Sequence, residues 1–340
     1  MIHVSGEQSP NVLFARSHIE AGRPGPPPLV SPGILSYADF QTRQANWPAD
    51  KVRTRLLGLF PDDADERLFP DEWLDVAQRL GAEVRSLFAA DERTRGVDEE
   101  PPDDPMRIRL ASHLKRFDRP YALGVDVAAG GADQTVWVVL GRFGVRQIVA
   151  KHTPDTSEIT RVTRRLAHRW RITRRAVAFD AGGGGKQIAD ALRARYGWDP
   201  SIVDFGARPR RPDEYLNRRA ELYGELRKAL EPNRRLRRLL ELPRDRWTRK
   251  LRCVSLPPDD GRLREELAVL PKRYDGEGKL RLPSKSRSRA RDGDRGERTI
   301  RELLGGRSPD RADALALAYH AWDDDRERRA LSTIRGPLIY

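Results

Sequence analysis

One cysteine, Cys253, two methionines and no apolar run approaching the ~20 residues of a membrane span are conspicuous scarcities in this 340-residue chain. A lone cysteine excludes an internal disulfide framework and a zinc site built on thiolates, and it fits a reducing compartment. The opening MIHVSGEQSP lacks a basic stretch followed by an apolar one, so no signal peptide is expected. The protein is therefore expected to be soluble and intracellular. Also missing is GxxxxGK followed by Ser or Thr, the loop that cradles nucleotide phosphates. The nearest stretch, Gly182 to Gln187, has Asp180 where the first Gly belongs and Gln187 where Ser or Thr belongs. A P-loop kinase or ATPase is thereby disfavoured, and ATPase activity is not expected. Those glycines are better suited to a tight backbone turn beside Asp180.

What is abundant is positive charge. The net charge is +13, the pI about 10.2, and charged residues make up 34% of the chain against 38% hydrophobic. Such an excess favours a polyanionic partner, most commonly nucleic acid. Arginine is densest over residues 206–252, in RPRR, NRR, NRRLRR and RDRWTRK, where aromatics are few (Tyr215, Tyr223, Trp247). Few aromatics mean that base stacking is not the main mode; the pattern suits sequence-indifferent phosphate contacts. The candidates are Arg210, Arg211, Arg218, Arg219, Arg234, Arg235, Arg237 and Arg238. The alternative is a solvated helix in which Glu221, Glu225 and Glu231 neutralise neighbouring arginines.

Along the chain, residues 1–35 are rich in Gly and Pro and read as an irregular arm. Residues 36–60 carry a helical pattern, and a second helix is expected from about Pro70 to Phe88. An acidic, Pro-containing stretch, RTRGVDEEPPDDP, then reads as a linker. From Pro120 the pattern changes. YALGVDVAAG, QTVWVVLGRF and VRQIVAKHT are three strands with short gaps, hence an antiparallel meander. A helix over 157–170 with a Ser cap follows, then the strand AVAFD, a helix ending at Gly197, and the strand SIVDFG. Residues 213–240 are helical with a break at Pro232. A helix over 261–272, a strand GKLRLP and a final helix capped by Ser308 complete the order. Three hairpin-linked strands followed by alternating helices and strands predict a mixed α/β sheet with helices on its faces, an order the ribonuclease H-like fold has.

Within that frame three carboxylates stand in apolar surroundings: Asp126 in LGVDVA, Asp180 closing AVAFD, and Asp313 in ADALALAY. Burying a lone carboxylate costs several kcal/mol, so such groups persist when paired, hydrogen-bonded or bound to a cation. For each alone, a structural cap or ion pair is as good a reading as a ligand; the set of three on separate elements points to a shared cation. Oxygen donors without a Cys or His cluster favour Mg²⁺ or Mn²⁺. Two such ions can hold a phosphodiester, one activating water and the other stabilising the leaving oxygen. Asp310, three residues before Asp313 on the same helix face, is a further candidate ligand, although an acid at a helix start is ordinary. Asp133 in GGADQT is a weaker one, since Asp in a turn is commonplace.

Several ordered stretches resemble the nuclease region of phage terminase large subunits. GVDVAAGGADQTV is similar to its first motif, AFDAGGGGKQIADAL to its second, and DEYLNRRAELYGELRKAL to its Asn-Arg-Arg-Ala-Glu helix. LRLPSK (Leu280 to Lys285) and SPDRADALALA are similar to its closing strand and third motif. The resemblance spans roughly Arg119 to Trp322. It implies a ribonuclease H-like domain over 118–325, a metal-binding triad of Asp126, Asp180 and Asp313, and a double-stranded DNA substrate cut during genome packaging. It also adds Lys285 to the candidate DNA contacts. Holliday-junction resolvases share the fold and a similar Asp-x-x-Asp helix, which supports Asp310. Residues 36–80 resemble the end of the family's ATPase domain, and 326–340 would be a tail. The implied partners are the portal protein, the small terminase subunit and a separate or missing ATPase, all in the bacterial host cytoplasm. Without a phosphate loop, the chain is expected to be a fragment, split gene or prophage remnant, and SRSRARDGDRGER is an unusual basic insertion. The competing readings are a resolvase- or transposase-like nuclease, which would prefer branched DNA, and a non-catalytic DNA-binding remnant, which would not cleave.

Overall fold

The computed structural model describes residues 5–46, 52, 56–57, 67–88, 118–119, 121–128, 130, 133–232, 254–286 and 297–334. The acidic linker, Cys253, Trp247 and most of the basic insertion lie outside them. The chain divides into two compact units, Met1–Glu66 and Arg67–Tyr340.

The first unit corrects the expectation of an irregular arm. Ser5 caps a 3-10 turn at Gly6–Gln8, and helix α1 follows at Pro10–Glu20. Proline opens that helix at no cost, because the first turn has no use for its missing N–H and its φ is already helical. The Gly/Pro-rich stretch after it is irregular. There the buried Asn11 accepts from the Val30 and Ser31 N–H groups at 2.9 and 2.7 Å and donates to the Ser31 carbonyl at 2.9 Å. Helix α2 spans Tyr37–Asn46, and Val12, Phe40 and Leu56 form the small core of this unit.

The second unit opens with helix α3, Asp71–Phe88, whose Leu74, Ala77, Leu80 and Val84 are buried. The Leu256 N–H donates to the Ala77 carbonyl at 3.0 Å, and the Leu68 N–H to the Leu270 carbonyl at 2.8 Å. These bonds tie α3 to the body that follows, so the division falls at residue 66 rather than after the linker.

Strands β1 (Ala122–Asp126), β2 (Thr135–Gly141) and β3 (Gly144–Lys151) form the expected meander. Helix α4 (Thr156–Trp170) leads to β4 (Val177–Asp180), and helix α5 (Gly185–Tyr196) to β5 (Ser201–Val203). The sheet order is β3-β2-β1-β4-β5; β1 pairs antiparallel with β2 and parallel with β4, and β5 extends the parallel part. This is the ribonuclease H-like mixed sheet. Every residue of β1 and β2 is buried, as expected of strands covered on both faces.

Helix α6 (Arg218–Leu230), helix α7 (Gly261–Ala268), the short pair β6 (Arg273–Tyr274) and β7 (Leu280–Arg281), helix α8 (Ile300–Leu303) and helix α9 (Asp310–Ile334) complete the unit. Helix α9 packs across β1, β2 and β4. Alternation along the strands sorts the two faces. Gly124, Val138 and Ala178 are register partners, and a Cβ on Gly124 would lie 2.1 Å from the Ala314 carbonyl oxygen and 2.2 Å from the Ala318 nitrogen. Only glycine lets α9 come this close. On the opposite face Val125, Trp137 and Phe179 are partners, and the Trp137 indole donates to Thr163 of α4 at 2.9 Å.

Two helix starts differ from expectation. Asp155, not a serine, caps α4 by accepting from the Ser157 N–H at 2.8 Å. Helix α9 begins after Pro309, whose carbonyl accepts from the Asp313 N–H at 2.8 Å, so Ser308 lies one position too early to cap it. No helix among the described residues is long and apolar enough to cross a membrane.

Candidate active site

Strands β1 and β4 run parallel and end on the same edge of the sheet, at Asp126 and Asp180. Helix α9 starts there too and brings Asp310 and Asp313 in its first turn. The three expected carboxylates thus share one neighbourhood, and their charges act on one another. Burial pushes the Asp126 carboxyl well above the usual range; the Lys285 ammonium pulls it down, while the charges of Asp313, Asp310 and Asp180 push it further up. Asp180 is raised by burial and by Asp313, against a hydrogen bond from the Gly182 N–H.

Asp313 is treated differently. It is fully buried. Burial alone would raise its pKa, but the charges of Arg219 and Lys285 and the Tyr223 hydroxyl hold it below the ordinary value. The Arg219 guanidinium donates to Oδ1 at 3.1 Å, the Tyr223 hydroxyl to the same oxygen at 2.7 Å, and the Lys285 Nζ lies 3.0 Å from Oδ2. The same ammonium is 4.0 Å from Asp126 Oδ2. Lys285 therefore bridges two of the carboxylates: desolvation pulls its pKa down, and the charges of Asp126 and Asp313 outweigh this and hold it above the ordinary lysine value.

The turn after Asp180 explains its glycines. Gly183 and Gly184 have φ of 60° and 97°, a region that side chains disfavour. A Cβ on Gly185 would stand 2.0 Å from the Asp180 carbonyl oxygen. The chain can thus reverse into α5 directly over the carboxylate. A cleft lined by Asp180, Gly182, Asn217, Arg219, Ser284 and Lys285 opens on this side of the cluster.

Of the remaining candidates, Asp310 is buried and accepts from the Gln134 N–H at 3.0 Å, with Arg262 at 3.5 Å. Burial raises its pKa, as does the charge of Asp133. Asp133 is ion-paired with Arg301. Lys285 and Arg219, expected on the DNA face, lie inside the carboxylate cluster instead. Arg218 is paired with the buried Glu221, Arg211 with Glu225 and Glu214, and Arg210 with Asp324 at 3.3 Å. Glu221 also accepts from the Arg210 and Arg211 N–H groups at 2.9 and 3.2 Å. Glu221 and Glu225 thus hold Arg218 and Arg211 as neighbours on the same stretch, whereas Arg210 reaches Asp324 of α9. Arg234, Arg235, Arg237 and Arg238 lie outside the described residues.

Tyr223 was missed in the sequence, although a signal was there. Arg219 and Tyr223 are four apart in NRRAELY and so share one helix face, with Asn217 capping α6 by accepting from the Ala220 N–H at 2.9 Å. That face meets Asp313. Glu266 was missed as well: it is buried on α7 and accepts from the Arg311 and Ala312 N–H groups at 2.8 and 2.9 Å, satisfying the exposed donors at the start of α9.

Among the described residues no three Asp, Glu, His or Cys side chains already stand together as a metal-binding group. The donor chemistry nevertheless fits a hard divalent ion. The groups are oxygen donors, Asp126 and Asp180 are pushed up by the neighbouring carboxylate charge, and the cluster already holds a cation in the half-buried Lys285 ammonium.

No family model matches the chain, and no curated protein matches it. Solved structures do. A mutant gp2c of the large terminase subunit of bacteriophage Sf6 with calcium is 17% identical, covering 75% of this chain and 99% of that one, with a TM-score of 0.48. A variant of the Sf6 gp2 nuclease domain with manganese and beta-thujaplicinol is also 17% identical, over 75% and 98%, with a TM-score of 0.47. The large terminase nuclease of thermophilic phage G20c with bound magnesium is 16% identical, over 76% and 98%, with a TM-score of 0.41. At these identities the likeness assigns no residue of this chain a role.

Proposed function

We propose that the chain is a divalent-metal-dependent endonuclease acting on double-stranded DNA with little sequence preference, of the type found in phage terminase large subunits. One observation carries the reading: Asp126, Asp180 and Asp313 come from three separate elements to one sheet edge, where the charge of Asp313 weighs on Asp126 and Asp180, and that of Asp180 on Asp126. Such an arrangement costs stability unless a cation is part of its function. Residues 118–325 form the nuclease domain, with α3 attached to it. The portal protein, the small terminase subunit and a separate ATPase are the partners that the motif resemblance implies.

Asp126, Asp180 and Asp313 would hold Mg²⁺ or Mn²⁺, with Asp310 near enough to take part and Asp133 outside it through its pairing with Arg301. Bound there, the ions would supply positive charge to an attacking water and to the leaving oxygen of a phosphodiester. The chain's own residues prepare this site. Arg219 and Tyr223 fix one oxygen of Asp313 and thereby its orientation. The Gly182 N–H orients Asp180. Lys285 offsets part of the charge of Asp126 and Asp313, and a divalent ion held by the three carboxylates would offset the rest.

The test is incubation of the purified chain with supercoiled plasmid in Mg²⁺, in Mn²⁺ and in EDTA. Nicked and linear products with metal, absent with EDTA, are expected. A folded protein that leaves the plasmid intact in both metals overturns the reading.

A further inference from the structure

A groove runs between α4 and α5 on the face of the sheet opposite α9. Thr156, Ser157, Thr160, Arg161 and Arg164 line it from α4, and Arg195 from α5. It is basic and faces solvent. Arg161, Arg164, Arg165 and Arg195 are exposed, as is Lys186 at the start of α5. Among the described residues Arg165, Lys186 and Arg195 have no carboxylate partner, and Arg161 has only Glu158 at 3.8 Å, a carboxylate that Lys151 already holds at 2.7 Å. The Arg164 guanidinium lies 3.8 Å from the centre of the Tyr196 ring. Stacking of this kind holds the fork of an arginine in place while leaving its N–H donors outward.

The topology decides where the groove leads. Strand β3 is antiparallel to β2, which is antiparallel to β1, so β1, β3 and β4 all finish on one edge. Helices α4 and α5 start from that edge, after β3 and after the glycine turn behind Asp180. One mouth of the groove therefore opens on the edge that carries Asp126 and Asp180. From Thr156 to Arg164 the helix advances about 12 Å, at 1.5 Å per residue. That length accommodates more than one backbone phosphate.

We infer that this groove is a phosphate-backbone contact for the nucleic acid engaged at the carboxylate cluster, distinct from the arginines of residues 206–252. The inference rests on the nuclease reading for its substrate, and it names the surface along which that substrate leaves the site. Arginine forks and the Ser157 hydroxyl suit phosphate oxygens, the Thr160 hydroxyl being spent on the Thr156 carbonyl at 2.7 Å; the one aromatic lining the groove, Tyr196, is already covered by Arg164. The contact is therefore expected to be indifferent to sequence.

The experiment measures binding of a fluorescent 30-base-pair duplex in EDTA, where cleavage cannot interfere, over a series of salt concentrations. Replacing Arg161, Arg164 and Arg195 together by Ala should weaken binding at least tenfold. It should also reduce the slope of log K against log salt by roughly 2–3, at about 0.9 per lost phosphate contact. Removing equal charge elsewhere, at Arg23, Arg79 and Arg273, should leave the slope unchanged. Ser157→Glu, which places a negative charge in the groove with one exposed substitution, gives a second route should the triple variant fold poorly. Unchanged affinity and slope in folded groove variants overturn the inference, as does an equal loss in the control. Binding of inorganic phosphate by the groove without any effect on DNA also overturns it. Plasmid cleavage is scored separately: a parent protein that binds DNA through the groove but cuts nothing sinks the nuclease reading and not this one.

Discussion

Asp126, Asp180 and Asp313 differ in how the fold treats their charge, and the difference decides what each substitution does. Asp313 is surrounded by Arg219, Tyr223 and Lys285. Removing its charge strands the buried Arg219 and takes from the half-buried Lys285 its nearest carboxylate; leaving a buried charge unpaired typically costs about 3–5 kcal/mol. An inactive Asp313→Asn protein would thus be ambiguous. Asp180 is only partly buried and makes no ion pair among the described residues, so Asp180→Asn should fold normally and lose more than roughly 100-fold in cleavage rate. That exceeds the 10–100-fold that loss of an outer supporting group usually costs. Asp310→Asn and Tyr223→Phe should fall within that smaller range. Plasmid nicking with circular dichroism as the folding control reads all of these, and a folded Asp180→Asn enzyme as active as the parent would remove the triad. A second residue-scale effect lies outside the cluster. Burial, with the charges of Arg218 and Arg210, lowers the pKa of His320 to about 4. The folded state therefore favours neutral imidazole, and the stability this lends above the unfolded pKa of about 6.5 is lost as pH falls toward 4. Between pH 7 and pH 5 the loss is roughly 2 kcal/mol. Glu266, raised to about 7 by burial, works in the opposite sense over the same interval. The measurement is consequently a difference: urea unfolding of parent and His320→Gln at both pH values, with the variant losing less. Equal losses would show that His320 titrates normally.

At the scale of elements, the position of α9 against β1 sets the position of Asp313 against Asp126. Gly124 controls that distance, because its Cα hydrogen faces the backbone of Ala314 and Ala318. Gly124→Ala should cost about 1–3 kcal/mol or more, as overpacking does. It should also impair cleavage in protein that remains folded, since the helix must move away from the strand. Urea midpoints with an unchanged m-value and a plasmid assay at a temperature well below unfolding test both parts; full activity would mean that the register of α9 is not critical. The same contact illustrates what the sequence makes legible. Apolar runs at β1, β2 and β4 and the alanine-rich stretch of α9 announce a buried sheet and a closely packed helix, and a carboxylate interrupting each run announces a site. Pairing partners are less visible, because they depend on which helix faces meet. Arg219 looks like one arginine among many in residues 206–252, and only the packing of α6 on α9 turns it inward. Lys285 likewise looks like a surface lysine until β7 and the segment after it are placed beside the cluster. The helix at Pro10–Glu20 was hidden by the composition of its neighbours: glycine and proline after residue 20 made the whole arm look irregular, although proline at a first helical position is favourable.

For the whole molecule, the carboxylate cluster is a local conflict that the rest of the fold has to sustain. A buried Asp126 beside three other acids lowers folding stability, and Lys285 relieves only part of this because it also serves Asp313. A divalent ion that binds the folded cluster and not the unfolded chain must raise stability by mass action, by about 2.7 kcal/mol at one hundred times its dissociation constant. In a unit of this size each kcal/mol shifts the melting temperature by about 2–4 °C. Saturating Mn²⁺ or Mg²⁺ should therefore raise the melting temperature of the second unit by roughly 5–10 °C over EDTA at matched ionic strength. The control ion is Na⁺ at the same ionic strength, which screens the general charge of the chain without occupying the cluster. The effect should nearly vanish in Asp126→Asn, and that variant should melt higher than the parent in EDTA, because the substitution removes the carboxyl that the fold is least able to ionise. Both signs are needed. A metal-induced rise that survives in Asp126→Asn would locate the ion elsewhere, and a variant that is less stable than the parent in EDTA would mean that Lys285 already compensates the cluster fully, leaving no strain for a metal to relieve.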